Sequence, residues 1–358
     1  MCHSKMRGVK QVKFKLKVTR MNVERLLVMA SAALVVALAL HGNETAMSRY
    51  EDSQLARGAA AVAIPTAQPA ETQPVTVYYQ DGDGYLVPVT TRVEKTDGIA
   101  RAALRLLVQS PENDAAAARM GLKPCVPEGT DFDLDISNGR ARVDLRGDAL
   151  SCASAAEESL MVGAVAQTLA GFDTVKEVTF LFDGQSRSKL THGTDVSGAF
   201  SASDINMETL ETFDANDANA SLVKLYFPSA TGRMLVPVTR VVYSDADPVT
   251  AMVELCRGPR ADSGLERCVP EGCGLKGVTM KDGVVSIDLT KEFAGEGDVD
   301  RTQMLRAIVF TASQFPGVKE VRLSVEGEPY PLPEAAKSAF INMDTEVISY
   351  YPGVIETD

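Results

Sequence analysis

The pentapeptide Cys125-Val126-Pro127-Glu128-Gly129 returns as Cys268-Val269-Pro270-Glu271-Gly272, so the motif CVPEG occurs twice in one chain. Two further short motifs accompany each copy. LVPVT lies upstream, at residues 86–90 and 235–239, and VKEV lies downstream, at residues 175–178 and 318–321. The distance from CVPEG to VKEV is 50 residues in both copies, from 125 to 175 and from 268 to 318. Shared words in one order and at one spacing indicate two tandem copies of a fold unit. Each copy has about 120–130 residues, an ordinary domain size, and two copies are too few for a solenoid.

The composition is that of an ordinary globular protein, with 358 residues, of which 45% are hydrophobic and 23% charged. This length is enough for two apolar cores. The formal net charge is −12, and an acidic body argues against nucleic acid or an anionic membrane surface as a partner. The chain has no Trp and only 6% aromatic residues. Stacking platforms for bases or sugars are therefore scarce, and Tyr78, Tyr79 and Tyr226 are the candidates that remain.

The N-terminus has the pattern of an anchor or an export signal. Residues 1–25 carry eight Lys or Arg, and residues 26–41 contain the mostly apolar run LLVMASAALVVALAL. The Lys and Arg excess predicts a cytoplasmic N-terminus and extracytoplasmic domains. The apolar run is short for a spanning helix, which needs about 17–25 residues, and it also suits a signal peptide. The segment 26–41 is therefore either an uncleaved anchor or a cleaved signal.

Two homologous domains are predicted after a tether. Residues 42–74 are rich in Ala, Thr, Pro and Gln without lasting periodicity, which predicts a flexible linker. Residues 75–215 and 220–350 are the two predicted domains, each with a complete core and each able to fold alone. Both domains end in a similar tail, Ile205-Asn206-Met207 in the first and Ile341-Asn342-Met343 in the second.

Each copy follows the order β-β-α-β-β-α-β, which implies an α+β fold with two helices on one face of a small mixed sheet. In the first copy an apolar stripe predicts a helix over about 98–109 that ends at Ser110-Pro111. Asn138-Gly139 between two alternating runs is a strong hairpin signal. Ser154-x-x-Glu157 is a capping box that opens a helix over about 155–170. The nearly continuous apolar run 175–182 predicts a central strand.

No motif in the chain points to catalysis. HExxH, GxSxG and P-loop sequences are absent from the sequence,. The three His are His3, His41 and His192, and only His192 lies in the predicted domains, in a polar loop without a counterpart in the second copy. Neighbours in a loop rarely hold the geometry that general-base catalysis needs. The sequence therefore predicts a protein that is not an enzyme, with no catalytic residue and no cofactor.

The acidic motifs have a structural interpretation. Asp131-x-Asp133-x-Asp135 resembles the start of a calcium loop, but Ile136 and Arg142 stand where that loop needs Gly and Glu,. We interpret the three Asp as the wet face of a strand. Glu128 and Glu271 lie in a turn bracketed by Pro and Gly, where we expect them to be exposed. No metal site is predicted.

Five Cys lie beyond the apolar run, at Cys125, Cys152, Cys256, Cys268 and Cys273. Outside the cytoplasm disulfides are permitted, and two pairings stay open, Cys125–Cys152 and Cys268–Cys273. Cys256 falls on the buried stripe of a predicted helix, which favours an inert core thiol. The spacing does not fit a zinc site, and an odd total leaves one thiol over.

These stretches are similar to the GerMN domain of bacterial sporulation and spore germination proteins. The similarity is carried in the second copy by LVPVTR at 235–240, Gly258-Pro259, the VPEG turn, Ile287-Asp288-Leu289 and FPGVKEV at 315–321. The first copy has Ser110-Pro111 for Gly-Pro and Phe172-Asp173-Thr174 for Phe-Pro-Gly. Together the copies cover about residues 75–347.

The resemblance implies a non-catalytic, extracytoplasmic, membrane-attached protein that acts in assembly of a sporulation or germination envelope complex through protein–protein contacts. It also implies domains like the ring-building modules of secretion-like complexes. The typical spore protein of this family is a lipoprotein, whereas no Cys closely follows the apolar run here. The alternative is a module that binds peptidoglycan or another cell-wall ligand in envelope remodelling. The expected partners are envelope or sporulation-complex proteins and the membrane, with peptidoglycan as the alternative and no nucleic acid.

Overall fold

A computed structural model describes residues 71–202, 205–208, 220–294, 301–333, 336 and 342. The predicted N-terminal segments 1–25 and 26–41 lie outside the described residues, and so does most of the predicted linker 42–74. The first strand begins at Thr72, inside the last residues assigned to that linker. Both copies belong to one compact unit, Pro69–Asp358. No helix in the described ranges combines the length and the apolar character that crossing a membrane requires.

The first copy contains three α-helices and five strands among its described residues. In chain order they are β1 (Thr72–Gln80), β2 (Leu86–Glu94), α1 (Ile99–Arg105), α2 (Pro111–Ala118), β3 (Thr130–Ser137), β4 (Arg140–Gly147), a 3-10 turn (Asp148–Leu150), α3 (Ala155–Ala170) and β5 (Glu177–Phe182). A two-residue strand, β6 (Met207–Glu208), follows in the tail that leads to the second copy.

The second copy repeats this order with two described α-helices. Its elements are β7 (Ser221–Pro228), β8 (Leu235–Val242), α4 (Pro248–Arg257), β9 (Leu275–Lys281), β10 (Val284–Leu289), a 3-10 turn (Lys291–Ala294), α5 (Arg301–Ser313), β11 (Glu320–Val325) and β12 (Glu328–Tyr330). Helix α3 packs against β1 and β5 in the first copy, and α5 packs against β7 and β11 in the second. The buried apolar residues of both copies form one contiguous cluster.

The strands lie in four small sheets among the described residues. They are the two-stranded β1-β2, the three-stranded β3-β4-β5 and β6-β8-β7, and the four-stranded β12-β11-β10-β9. All but β1-β2 are mixed, because β4 pairs with β5, β8 with β6 and β10 with β11 in parallel while their hairpin partners are antiparallel. The predicted α+β class and the tandem repeat are confirmed.

The prediction that 175–182 is a central strand is wrong. The central strand of that sheet is β4, and among the described residues β5 makes only two isolated bridges besides, Val178 with Phe200 and Phe182 with Gln185. The burial of β5 alternates residue by residue along Glu177–Phe182. Alternation is the signature of a strand that buries one face against a helical layer, and the apolar character of Leu181 concealed it in the sequence.

The helix predicted over about 98–109 is shorter than predicted, Ile99–Arg105, and a second helix that the sequence did not predict follows at Pro111–Ala118. Helix α1 ends at Arg105, and Ser110 and Pro111 begin α2 instead of terminating a helix. The Ser110 side chain accepts a hydrogen bond from the amide of Asn113 at 3.2 Å, and Pro111 occupies the first helical position. Ser followed by Pro is a preferred N-terminal cap, so the dipeptide starts a helix as readily as it stops one.

Two local predictions are confirmed by geometry. Asn138 and Gly139 have φ values of 52° and 81°, as a two-residue hairpin turn requires. In the capping box, the amide of Glu157 donates to the Ser154 hydroxyl at 3.2 Å, and the Glu157 carboxylate accepts from the amide of Ala153 at 2.8 Å. Both motifs act within a few residues, which is why the sequence alone identifies them.

The two copies are joined by a reciprocal pair of asparagines. The amide oxygen of Asn206 accepts from the backbone N–H of Leu86 at 2.9 Å, and its nitrogen donates to the carbonyls of Leu86 and Pro237. Asn342 repeats this pattern from the other side: it accepts from Leu235 at 2.9 Å and donates to the carbonyls of Leu235 and Pro88. Each tail asparagine therefore holds its own copy and reaches into the other.

Candidate functional site

An open groove of about 720 Å³ lies on the second copy, between the end of β8 and helix α4. One edge of β8 is covered by β7 along its length, whereas the other edge pairs with β6 at only two positions, Met207 with Thr239 and Glu208 with Arg240. In the part of the chain that the structure describes, no strand continues along this edge beyond Arg240. The groove lies beside the part of this edge, beyond Arg240, that no described strand covers.

Helix α4 forms the opposite wall, and its two ends are fixed by local chemistry. The Asp247 carboxylate accepts a hydrogen bond from the amide of Thr250 at 2.7 Å, and Pro248 occupies the first helical position. The helix stops at Gly258, which has φ 87°. The Arg267 guanidinium packs against Gly258 so closely that a side chain there would collide with it. Helix α4 therefore has a well-defined C-terminus at Gly258.

A buried charge network forms the floor of the groove. Arg240 donates to both carboxylate oxygens of Glu208, at 2.6 and 3.0 Å, and to the Glu254 carboxylate at 3.1 Å. These three side chains are only 9–13% exposed. Burial alone disfavours the guanidinium charge, but the hydrogen bonds and charges of Glu208 and Glu254 outweigh it, and the pKa of Arg240 is raised. The floor is a hydrogen-bonded set of paired side chains that holds the end of β8 to α4 and to Glu208.

The rim of the groove is apolar on one side and basic on the other. Tyr243, Val249 and Val253 are 54%, 44% and 37% exposed, and all three line the groove. Val249 and Val253 are four residues apart and so lie on one face of α4. Arg257, whose side chain is 69% exposed, and Arg260 form the basic side. Contiguous exposed apolar surface rimmed by polar groups is typical of an interaction site.

The first copy carries different residues at the corresponding positions. Aligned on LVPVT and on the two Pro that follow the helices, the residues that replace Arg240, Tyr243, Val249 and Val253 are Thr91, Glu94, Arg101 and Arg105. Arg101 donates instead to the carbonyl of Leu134 at 2.7 Å. The groove chemistry is thus specific to the second copy. A search of the repeats for their differences, rather than for their identities, is the signal that would have located it.

His192 is part of a structural contact. Its Nε2 lies 2.7 Å from the carbonyl of Cys152, and its backbone amide donates to the Glu158 carboxylate at 2.8 Å. Glu158 is 2% exposed and also accepts from the amide of Thr194 at 3.3 Å. Burial alone raises the pKa of the Glu158 carboxyl, but the hydrogen bonds from His192 and Thr194 outweigh it and the pKa is lowered. These bonds fix the loop to the start of α3.

The acidic strand has the predicted orientation. Asp131, Asp133 and Asp135 are all exposed along β3. Asp133 pairs with Arg146, and the Asp135 carboxylate lies 3.9 Å from Arg142. Across the described residues, no cluster of three or more His, Cys, Asp or Glu has an arrangement that could hold a metal ion. The wet-face interpretation of these carboxylates is confirmed.

The five Cys of the described residues are free thiols, so neither pairing that the sequence left open is formed. Cys125 and Cys152 line a common cavity of about 320 Å³, yet each thiol is directed at a backbone carbonyl, of Lys123 and of Ala149. Burial raises the pKa of Cys125 to about 12. Cys256 is half-buried against the core, and burial raises its pKa to about 11. Such thiols are poor nucleophiles.

The prediction for the two turn carboxylates that repeat in CVPEG is confirmed, whereas the expectation for the three Tyr is not. Glu128 and Glu271 are exposed, as predicted for a turn. Tyr79 and Tyr226 are 6% and 7% exposed, and burial raises the pKa of Tyr78 to about 12. The expectation that these Tyr remain available for stacking is wrong, because Tyr79 and Tyr226 are buried in the core and Tyr78, on the opposite face of β1 from Tyr79, is partly buried and packs against the core,.

The fold and the groove define a class: a tandem α+β domain protein whose two copies are joined by hydrogen bonds and whose second copy carries an open groove. The chain belongs to the GerMN domain family, since the model of the Germane family, described as "Sporulation and spore germination", matches residues 76–188 and 224–331. These ranges fall on the two copies, and the family predicted from the sequence is confirmed.

Two relatives show the extent of the similarity. The spore germination protein GerM of Bacillus subtilis (strain 168) is 29% identical over 263 residues, which span 70% of this chain and 71% of that protein. The solved tandem GerMN domains of the sporulation protein GerM from Bacillus subtilis match with a TM-score of 0.65 at 26% identity, covering 77% of this chain and 100% of that chain.

A third relative shares only part of its length. The lipoprotein LpqB of Cutibacterium acnes is 29% identical over 129 residues, which are 35% of this chain and 22% of that protein. The match therefore spans about a fifth of LpqB.

Proposed function

We propose that this protein is a non-catalytic, extracytoplasmic, membrane-attached component that acts in assembly of a sporulation or germination envelope complex through protein–protein contacts. The observation that carries the proposal is the groove on the second copy, where Tyr243, Val249 and Val253 are exposed beside a sheet edge that no described strand covers beyond Arg240. Exposed apolar surface of this kind is costly in a protein that acts alone. The likeness to the sporulation protein GerM supports the cellular context.

Membrane attachment is proposed from two observations. Residues 1–25 are basic and residues 26–41 are apolar, the order expected for an N-terminus that stays in the cytoplasm. One relative over part of the chain is named a lipoprotein. Protease added to intact protoplasts should digest the two copies, and protection of both copies would contradict the extracytoplasmic placement.

The test of the assembly role is complementation of a deletion strain of the source bacterium. The wild-type chain should restore spore formation or germination, and Val253→Arg, which places a charge on the apolar rim, should not. Met280→Arg is the matched control, because Met280 is 44% exposed on β9 and does not line the groove. Equal protein levels must be shown by immunoblot. Full complementation by Val253→Arg would contradict the proposal.

A further inference from the structure

We infer that the groove between β8 and α4 binds an extended segment of a partner protein that carries both apolar and acidic side chains, and that this segment adds to the open edge of β8. The inference rests on the proposed function, since it names the chemistry of the partner at the same groove. Three independent features of the groove support it: the direction of the strand edge, the apolar rim and the local charge.

The edge of β8 presents backbone groups to the groove. The amide of Thr239 donates to the carbonyls of Ile205 and Asn206, at 3.1 and 3.3 Å, on the β6 side. Backbone groups alternate along a strand, so the amide and the carbonyl of Val241 face the same side. In the described residues β6 covers this edge only as far as Arg240. An incoming strand can therefore continue where β6 stops, which is the geometry of strand addition to a sheet edge.

The apolar rim fits the side chains of such a strand. Six large hydrophobic residues are exposed in the described part of the chain, and three of them, Tyr243, Val249 and Val253, lie at this one groove. An extended segment points every second side chain to one face. That face would lie on α4, where Val249 and Val253 are one helical turn apart.

The charge of the groove selects an acidic segment. Its lining holds three Arg, at 240, 257 and 260, against two Glu, at 208 and 254, a net charge of +1 in a chain whose net charge is −12. Asp262 lies outside the lining, and its carboxylate is 3.9 Å from Arg260. The Arg257 side chain is 69% exposed while one of its N–H groups contacts Glu254. A guanidinium has five N–H donors in a fork that matches a carboxylate. A basic partner would instead be drawn to the acidic remainder of the surface.

The direct test measures fluorescence polarisation of labelled model peptides with the full chain purified in detergent micelles. The probes are (Glu-Val)5, (Lys-Val)5 and (Glu-Ser)5. We expect (Glu-Val)5 to bind at least about tenfold more tightly than either of the others, because only it satisfies both the apolar rim and the charge. Equal binding of (Lys-Val)5, or no binding of (Glu-Val)5, would overturn the inference.

Two double variants separate the contributions. Val249→Ser with Val253→Ser removes the two exposed apolar side chains of α4 without adding charge, and it should weaken (Glu-Val)5 binding at least about tenfold. Arg257→Gln with Arg260→Gln should weaken it roughly three- to tenfold and abolish the preference over (Lys-Val)5. Met280→Arg should leave all three affinities unchanged. Unchanged binding in the first double variant, or an equal loss in Met280→Arg, would refute the groove as the site.

A last arm identifies a competing occupant from this chain. Residues 209–219 are replaced by a Gly/Ser segment of the same length. Equal (Glu-Val)5 affinity with and without the replacement supports a partner segment, and binding only after the replacement overturns the inference in favour of the chain's own segment. If Val253→Arg fails in complementation while wild-type protein binds no probe, the assembly role stands and the partner chemistry alone is wrong.

Discussion

Replacing Asn342 with Ala tests whether the two copies fold as one unit. Asn342 is 4% exposed, and its side chain makes three hydrogen bonds, one from the amide of Leu235 and two to the carbonyls of Leu235 and Pro88. The alanine leaves these three buried backbone groups without a partner, at about 1–3 kcal/mol each. Allowing for partial relaxation, we expect the free energy of unfolding to fall by about 3–5 kcal/mol. That is a large share of the roughly 5–15 kcal/mol available to a domain.

The assay is equilibrium urea unfolding of residues 69–358, followed by circular dichroism. Asn206→Gly is the matched control at the other tail. Asn206 makes the equivalent bonds but is only half-buried, and Gly retains its φ of 45°, so we expect a loss of only about 1–2 kcal/mol. A loss below about 0.5 kcal/mol in Asn342→Ala would refute the seam as an energetic link. The copies would then be autonomous, as the sequence alone predicts.

Three further predictions concern the groove floor and the loop that holds His192. Arg240→Ala leaves Glu208 as an unpaired buried carboxylate and Glu254 with Arg257 as its remaining partner. The free energy of unfolding in urea should therefore fall by about 3–5 kcal/mol, and a loss under about 1 kcal/mol would contradict the buried network. The folded-state pKa of Glu158 is lowered, so its contribution to stability is present above its unfolded pKa and is lost as pH falls through the folded pKa. Glu158→Gln should therefore reduce the fall in melting temperature between about pH 5 and pH 3. An unchanged fall in melting temperature would contradict this role of Glu158. His192→Ala should retain function in the complementation assay, and an inactive protein at normal abundance would argue for catalysis.

Local chemistry made part of the fold predictable. The hairpin at Asn138-Gly139 and the capping box at Ser154 were predictable because their hydrogen bonds close within four residues. Ser110-Pro111 misled because the same pair both follows one helix and caps the next. The open cysteine pairings stayed undecided because pairing depends on distances that spacing does not fix.

A comparison of the two copies could have located the α4 wall of the groove but not its whole floor, because part of the floor lies outside both copies. Glu208, which completes the floor by pairing with Arg240 at 2.6 Å, comes from the tail between the copies. It falls outside both ranges that the family model matches, 76–188 and 224–331, as do Asn206 and Asn342. A single second copy would leave Arg240 with Glu254 alone and would lose β6 from the edge of β8. The same tail thus joins the copies and shapes the surface proposed to bind a partner, so a variant that loosens the seam at Asn206 should also weaken binding at the groove.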